Sequence, residues 1–265
     1  MLDHNALQSA SDLLYAQWMA LGRIDHLPAA CRPSTRAEGY AIQALLEQRS
    51  AAPLYGWKIA ATSAAGQAHI GVKGPMAGRI LRERVVEPGT AISLQGNLMR
   101  VAELEFAFLM GQDLTPRAAP YERAEVCAAV ARLHPAIEIP DSRYHDFVAA
   151  GEAQLIADNA CAHLFLLGAP CSVDWAQFDL ATYPVHATHH QKAGTTALTG
   201  SGANVLGDPV VALTWIANEL SSLGLTLQKG QVVTTGTCLT PVVVAPGEAL
   251  HADYGPIGRI SASFA

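Results

Sequence analysis

Hydrophobic positions near the start of the chain recur at helical spacing. The pattern predicts helices from about Ala6 to Met19 and from Thr35 to Gln48. Ser34-Thr35 offers a cap for the second, and Tyr40, Ile42, Leu45 and Leu46 fall on one apolar face. From Leu54 the pattern changes to short apolar runs broken by glycine and proline, which predicts strands. These runs are Gly56–Ala60, Gly78–Leu81, Ala91–Leu94 and the segment Arg100–Phe108. Tyr121–Leu133 reads as a helix followed by a strand through Ala136–Ile139. Val210–Leu223 is the clearest helix of the second half, with Asp208-Pro209 at its start and Gly224 at its end. Strands are then expected around Val232-Val233, Pro241–Val244 and Ile257–Phe264. The chain has no repeat, low-complexity tract or long linker. It divides into an N-terminal helical region, residues 1–52, and a larger mixed β domain, residues 53–265.

Composition narrows the classes of function. Half of the 265 residues are apolar and only 15% are charged, enough for a large core and for buried contacts between subunits. The formal net charge is −6 and no Lys/Arg-rich stripe exists, which argues against a nucleic-acid partner. No apolar run is long enough to span a membrane, and Met-Leu-Asp-His-Asn lacks the regions of a signal peptide. The five cysteines are odd in number and widely spaced, with no Cys-x-x-Cys, as expected of free thiols in a reducing cytoplasm.

The chemistry begins with Glu103 and Glu105 in Arg-Val-Ala-Glu-Leu-Glu-Phe-Ala-Phe. Residues i and i+2 of a strand project from the same face, so both carboxylates point one way amid Val101, Leu104, Phe106 and Phe108. Burying two like charges side by side is costly unless a cation neutralises them. Carboxylate oxygens without nearby Cys or His suit a hard ion, Mg²⁺ or Mn²⁺. An edge strand with a solvated polar face would accommodate the same spacing. Glu138, between Ile137 and Ile139, is a third carboxylate in an apolar strand: it either faces solvent or, alongside Glu103 and Glu105, completes a three-carboxylate metal site.

Lys58 sits between Trp57 and Ile59 with no other charge nearby. It either snorkels to water or balances such a site, since three carboxylates, one divalent ion and one ammonium sum to zero. Asp158-Asn159, after Leu155-Ile156-Ala157, suits a strand end or turn, or a pair that orients a ligand or braces a metal-bound carboxylate. His186, His189 and His190 precede a hairpin turn at Gln191–Gly194 and read as an exposed strand rather than a zinc site. Gly200-Ser201-Gly202 completes no dinucleotide fingerprint, and no nucleophile elbow is present.

Taken in order, several segments resemble the 2-keto-4-pentenoate hydratase family of the fumarylacetoacetate hydrolase-like superfamily. They are Gly56-Trp57-Lys58-Ile59 with Thr62-Ser63, the Glu103-x-Glu105 strand, and Pro135–Ile139 with Asp141-Ser142-Arg143. Ile156–Ala160, Val205–Pro209 leading into Trp215-Ile216-Ala217, and Thr234–Thr237 follow, and in order and spacing the resemblance covers nearly the whole chain from Arg32 to Phe264. The resemblance implies an α+β fold, a mixed β-roll of the fumarylacetoacetate hydrolase C-terminal-domain type with an N-terminal helical region, assembled as a homo-oligomer. It implies Mg²⁺ or Mn²⁺ on Glu103, Glu105 and Glu138, and Lys58 as the active-site lysine. Ser63, Asp158, Asn159, Thr235 and Gly236 are the substrate-binding positions.

The activity implied is hydration of a 2-hydroxy-2,4-dienoate to a 4-hydroxy-2-oxo acid in aromatic or sterol catabolism, with a partner enzyme of the same pathway supplying or consuming the intermediate. One departure bears on the reaction. Where the resemblance places an aspartate in a Pro-Asp-aromatic-Gly stretch, this chain reads Pro75-Met76-Ala77-Gly78. The acid is associated with proton transfer in hydratases and is missing from related decarboxylases. A 4-oxalocrotonate-type decarboxylase is therefore the first alternative, and a C–C bond hydrolase the next.

Overall fold

The computed structural model describes residues 1–265. The chain opens with α1 (His4–Ala20) and α2 (Arg36–Ala44). Asp3 caps α1 by accepting from Ala6 N, and Thr35 caps α2 by accepting from Glu38 N. Then follow β1 (Gly56–Ala60), α3 (Ala64–His69), β2 (Met76–Ile80), β3 (Val101–Met110), α4 (Arg123–Ala128) and β4 (Val130–Ile139). The second half runs α5 (Glu152–Ala157), β5 (Leu164–Leu167), β6 (Pro184–Gln191), β7 (Gly194–Ser201) and α6 (Pro209–Ser222). It closes with β8 (Val232–Thr237), β9 (Val242–Val243), β10 (Ala249–Asp253) and β11 (Arg259–Ser263).

The strands form two sheets, which with the helices make an α+β fold. The larger runs β2-β1-β8-β3-β4-β5, with β9 on the end of β3; the smaller runs β11-β10-β6-β7. Only the β1–β8 pairing is parallel among those strand pairs. It requires glycine at Gly56, where a Cβ would lie 1.9 Å from Val232 O. β3 lies between β8 and β4 and is covered on both faces, with Leu104, Phe106 and Phe108 buried on one and Glu105 and Ala107 on the other. The edge-strand arrangement that would have left its glutamates in water is therefore not the one adopted.

α6 packs Val210, Leu213, Ile216, Ala217 and Leu220 into the main core. Each large side chain so buried contributes on the order of 1.5–3 kcal/mol. Asp208 caps this helix, Pro209 occupies its first turn, and Gly224 leaves it at φ 74°. The N-terminal helices share their core with the rest of the chain: Ala10, Leu14 and Ile42 pack with Tyr144 and Ala157. No helix is long and apolar enough to cross a membrane.

Four local expectations are corrected. Tyr121–Leu133 is helical only over Arg123–Ala128; β4 begins at Val130 because Leu133 and Arg132 pair with Phe108 and Leu109 of β3. Ala91–Leu94 forms a single bridge, Ile92 to Phe264, not a strand. Leu155–Ala157 belongs to α5 rather than to a strand, and α2 stops at Ala44 before a short 3₁₀ turn at Glu47–Arg49. Lateral pairing and helix packing, both non-local, decide these segments over local propensity.

Candidate active site

Four neighbouring strands bring the charged groups to one place. Lys58 of β1 pairs with Thr234 of β8, and Glu103 of β3 stands directly opposite Glu138 of β4. Glu105, two residues along β3, projects on the same side as Glu103. One oxygen from each glutamate can be chosen so that all lie within 4.8 Å of one another. Glu105 and Glu138 are buried, whereas Glu103 is partly exposed at the wall of a cavity.

Glu105 is held by half of its carboxylate. Oε2 accepts from Thr234 Oγ1 and from Gly236 N at 2.7 Å, while buried Oε1 has no partner. Gly236 is required for that approach, since its φ is 104° and a Cβ would lie 2.0 Å from Thr62 Oγ1. Glu138 Oε2 is likewise buried without a hydrogen bond. Lys58 Nζ is 3.4 Å from it, close enough for an ion pair, and donates a hydrogen bond to Ala160 O at 3.2 Å. Buried carboxylate oxygens without a hydrogen bond carry a desolvation cost, so the meeting of three such side chains suits a cation.

Electrostatics agree with that geometry. Burial, then the charge of Glu103, push Glu105 up to about 7 despite hydrogen bonds from Thr234 and Gly236. Burial raises Glu138 well above the usual carboxylate range, against the pull of Lys58 and with repulsion from Glu103 and Glu105. Glu103 is also raised by burial, with Lys58 opposing. Burial works to lower the Lys58 pKa, but Glu138 and Glu103 outweigh it and hold the ammonium more firmly than usual. Without a cation, burial and mutual repulsion therefore hold the carboxylates above their ordinary range, while their charge steadies the Lys58 ammonium.

The cavity has a volume of about 1160 Å³. Lys58, Glu103 and Gly236 line it with the polar side chains of Thr62, Ser63 and Asn204, and Ile70, Met76, Leu98, Phe147 and Leu239 are among its apolar walls. Lys58 and His69 are the only basic side chains lining it. Met76, the departure noted in the sequence, is 1% exposed and forms part of this wall.

The other expected substrate positions divide. Ser63 and Gly236 line the cavity, although Ser63 Oγ also caps α3 by accepting from Gly66 N. Thr235 points away and donates to Phe106 O at 2.9 Å. Asp158 and Asn159 stand behind the wall: Asp158 is paired with Arg143 and Ser142, and Asn159 is bonded to the main chain of Arg79. The sequence reading passed over Thr234 and the Ala160 carbonyl. Alternation along Val232–Thr237 would have selected Thr234, whereas a backbone acceptor leaves no residue-type signal. The three histidines do not converge: His189 is buried against Glu248 at 2.9 Å, and His190 packs on His251 at the outer face.

No protein-family model matches the chain. It is 31% identical to a 2-keto-4-pentenoate hydratase of Burkholderia vietnamiensis, over 100% of this chain and 99% of that protein. It is 32% identical to "2-keto-4-pentenoate hydratase 2" of Dechloromonas aromatica, over 80% and 78% of the two chains. Among solved structures, the 4-oxalocrotonate decarboxylase from Pseudomonas putida G7, complexed with magnesium and adipate, superposes with a TM-score of 0.88. That match covers 100% of this chain and 99% of the other at 24% identity, a likeness of fold.

Proposed function

The chain belongs to the 2-keto-4-pentenoate hydratase family, and we infer that it is a hydro-lyase adding water to a 2-hydroxy-2,4-dienoate to give a 4-hydroxy-2-oxo acid. The observation that carries this reading is the convergence of Glu103, Glu105, Glu138 and Lys58, with Lys58 and Glu103 opening the cluster to the cavity. Glu103, Glu105 and Glu138 would hold a divalent cation, Mg²⁺ or Mn²⁺, and the orphaned oxygens of Glu105 and Glu138 fit that role. Such an ion, when bound, supplies Lewis-acid polarisation of a 2-oxo group and charge stabilisation for the enolate.

The chain's own groups divide the remaining work. Thr234 and Gly236 fix one oxygen of Glu105 and leave the other without a partner. Lys58 enters as an ammonium able to hold a substrate carboxylate, and its Nζ is the group placed to assist proton transfer once a bound cation takes up the glutamate charge. In the reaction, the dienol loses its C2 hydroxyl proton and gains one at C5, becoming a conjugated enone. Water then adds its oxygen at C4 and a proton at C3. Ser63 and Gly236 border the bound acid, while Phe147, Leu239 and Met76 exclude water from its hydrocarbon end. Asp158, Asn159 and Thr235 contribute from behind the wall rather than by contact.

The finer fold description belongs to the same reading: a mixed β-roll, residues 53–265, carrying a helical region, residues 1–52, in a homo-oligomer of the cytoplasm. The substrate is a small acid of aromatic or sterol breakdown, passed on by a partner enzyme of that pathway.

One observation favours a second reading. Met76, in the cavity wall, stands where the family resemblance places an acid, which favours decarboxylation of a 2-oxo-enedioate at the same carboxylate cluster. Against it, the cavity offers no lysine or arginine besides Lys58 for a second carboxylate. Product analysis by NMR decides between them. With Mg²⁺ or Mn²⁺ present, 2-hydroxypenta-2,4-dienoate should yield 4-hydroxy-2-oxopentanoate. CO₂ release from 2-oxo-3-hexenedioate without that hydration would establish the decarboxylase.

A further inference from the structure

Lys58 lies deep in the sheet, and its one hydrogen bond runs to a main-chain oxygen in an unusual stretch of backbone. Asn159, Ala160 and Cys161 have φ values of 56°, 50° and 61°. Three successive non-glycine residues in the left-handed region are costly, and such strain persists only where surroundings over-determine it. The result is a turn that presents Ala160 O to Lys58 Nζ at 3.2 Å, with Ala160 and Cys161 forming part of the cavity wall.

Two clamps hold the turn. At its entrance, the Asp158 carboxylate accepts from Ser142 Oγ at 2.7 Å, Arg143 N at 2.9 Å and Arg143 Nε. Within it, Asn159 Oδ1 accepts from Arg79 N at 2.6 Å, and Asn159 Nδ2 donates to Arg79 O at 2.8 Å. β2 is the outer strand of its sheet, so the Asn159 amide satisfies both main-chain groups of one edge residue as a further strand would. The fit is close: a Cβ on Gly78 would lie 2.4 Å from Asn159 O and 3.0 Å from Lys58 Cγ.

We propose that Asn159 is a positioning residue: clipped to Arg79, it holds the left-handed turn that aims the Ala160 carbonyl at Lys58 and so sets the ammonium beside Glu138. It acts through Lys58 and touches no substrate. The proposal rests on the reading of Lys58 as the active-site lysine.

A double-mutant cycle separates this from simple edge capping. Hydration by the intact protein, at saturating Mg²⁺, is compared for wild type, Asn159→Ala, Lys58→Ala and the double variant, with folding checked by denaturation. Asn159→Ala is expected to lower kcat on the order of 10–100-fold while KM changes little, because misplacing a catalytic group costs that much. In the Lys58→Ala background the same change should cost almost nothing. Equal losses in both backgrounds would overturn the proposal, as would unchanged kcat in folded Asn159→Ala.

A harmless Lys58→Ala would instead overturn the role of Lys58 itself. Where Lys58→Ala leaves too little turnover to compare, a crystal structure of Asn159→Ala gives the answer. The account expects Ala160 to leave the left-handed region and its oxygen to leave Lys58; an unmoved turn contradicts it. Should Asn159→Ala fail to fold, Asn159→Asp, which keeps the acceptor and loses the donor, carries the same comparisons.

Discussion

His163 gives the structure a pH dependence that can be worked out in advance. It is 8% exposed, and its Nδ1 accepts from Trp18 Nε1 at 2.9 Å, which requires the neutral ring. The Trp18 indole is itself covered by Arg84 at 4.4 Å and Arg143 at 4.8 Å. Burial, then the charges of Arg143, Arg84 and Arg23, depress the His163 pKa from 6.5 to about 3. A depressed histidine favours the folded state fully only above its unfolded pKa. As pH falls below 6.5 the unfolded chain takes the proton first, and stability is lost until the folded pKa is reached.

Between pH 7.5 and 5 this linkage amounts to about 2 kcal/mol. The assay is urea denaturation of wild type and His163→Gln at the two pH values, since glutamine retains an acceptor for the indole but cannot charge. The wild type should lose about 2 kcal/mol more than the variant. Parallel losses would refute the assignment of a neutral, arginine-flanked imidazole beneath α1.

Glu105→Gln should leave the fold intact and reduce Mn²⁺ affinity, measured calorimetrically, on the order of a hundredfold or more; unchanged affinity would remove Glu105 from the ligand set. Lys58→Ala should lower turnover by roughly 10²–10⁴-fold with Mn²⁺ still bound, and normal turnover would make Lys58 a passive counter-charge. Gly236→Ala forces a side chain onto Thr62 at a φ of 104° and should weaken cation binding by displacing the amide that holds Glu105; retained affinity would show that this amide is dispensable. Met76→Asp should raise hydration if the missing acid limits the reaction, at a stability cost of about 1–3 kcal/mol for a buried polar group; no gain would make the methionine a tolerated wall residue.

Much of the site's placement was legible because strand periodicity needs no tertiary information. Glu103 and Glu105 share a face by spacing alone, and Glu138 between two isoleucines had to lie in an apolar strand. Their meeting depended on register, which puts Glu103 opposite Glu138 and which no local pattern specifies. α6 was legible to within a residue because Asp208, Pro209 and Gly224 punctuate it. Tyr121–Leu133 misled because its alanine-rich middle suits a helix, while β3 claims the residues from Val130 onward. Asp158 and Asn159 drew attention as a polar pair, yet their partners, Arg143 and the Arg79 backbone, come from elsewhere in the chain.

The central claim is that Glu103, Glu105, Glu138 and Lys58 form one cation-dependent hydration centre. Its most direct test pairs Mn²⁺ titration with NMR detection of 4-hydroxy-2-oxopentanoate, for wild type and Glu105→Gln on the same preparations. One tight Mn²⁺ site and product are expected in the wild type, with both lost in the variant. Hydration that proceeds undiminished in Glu105→Gln, or in metal-free wild type, would contradict it.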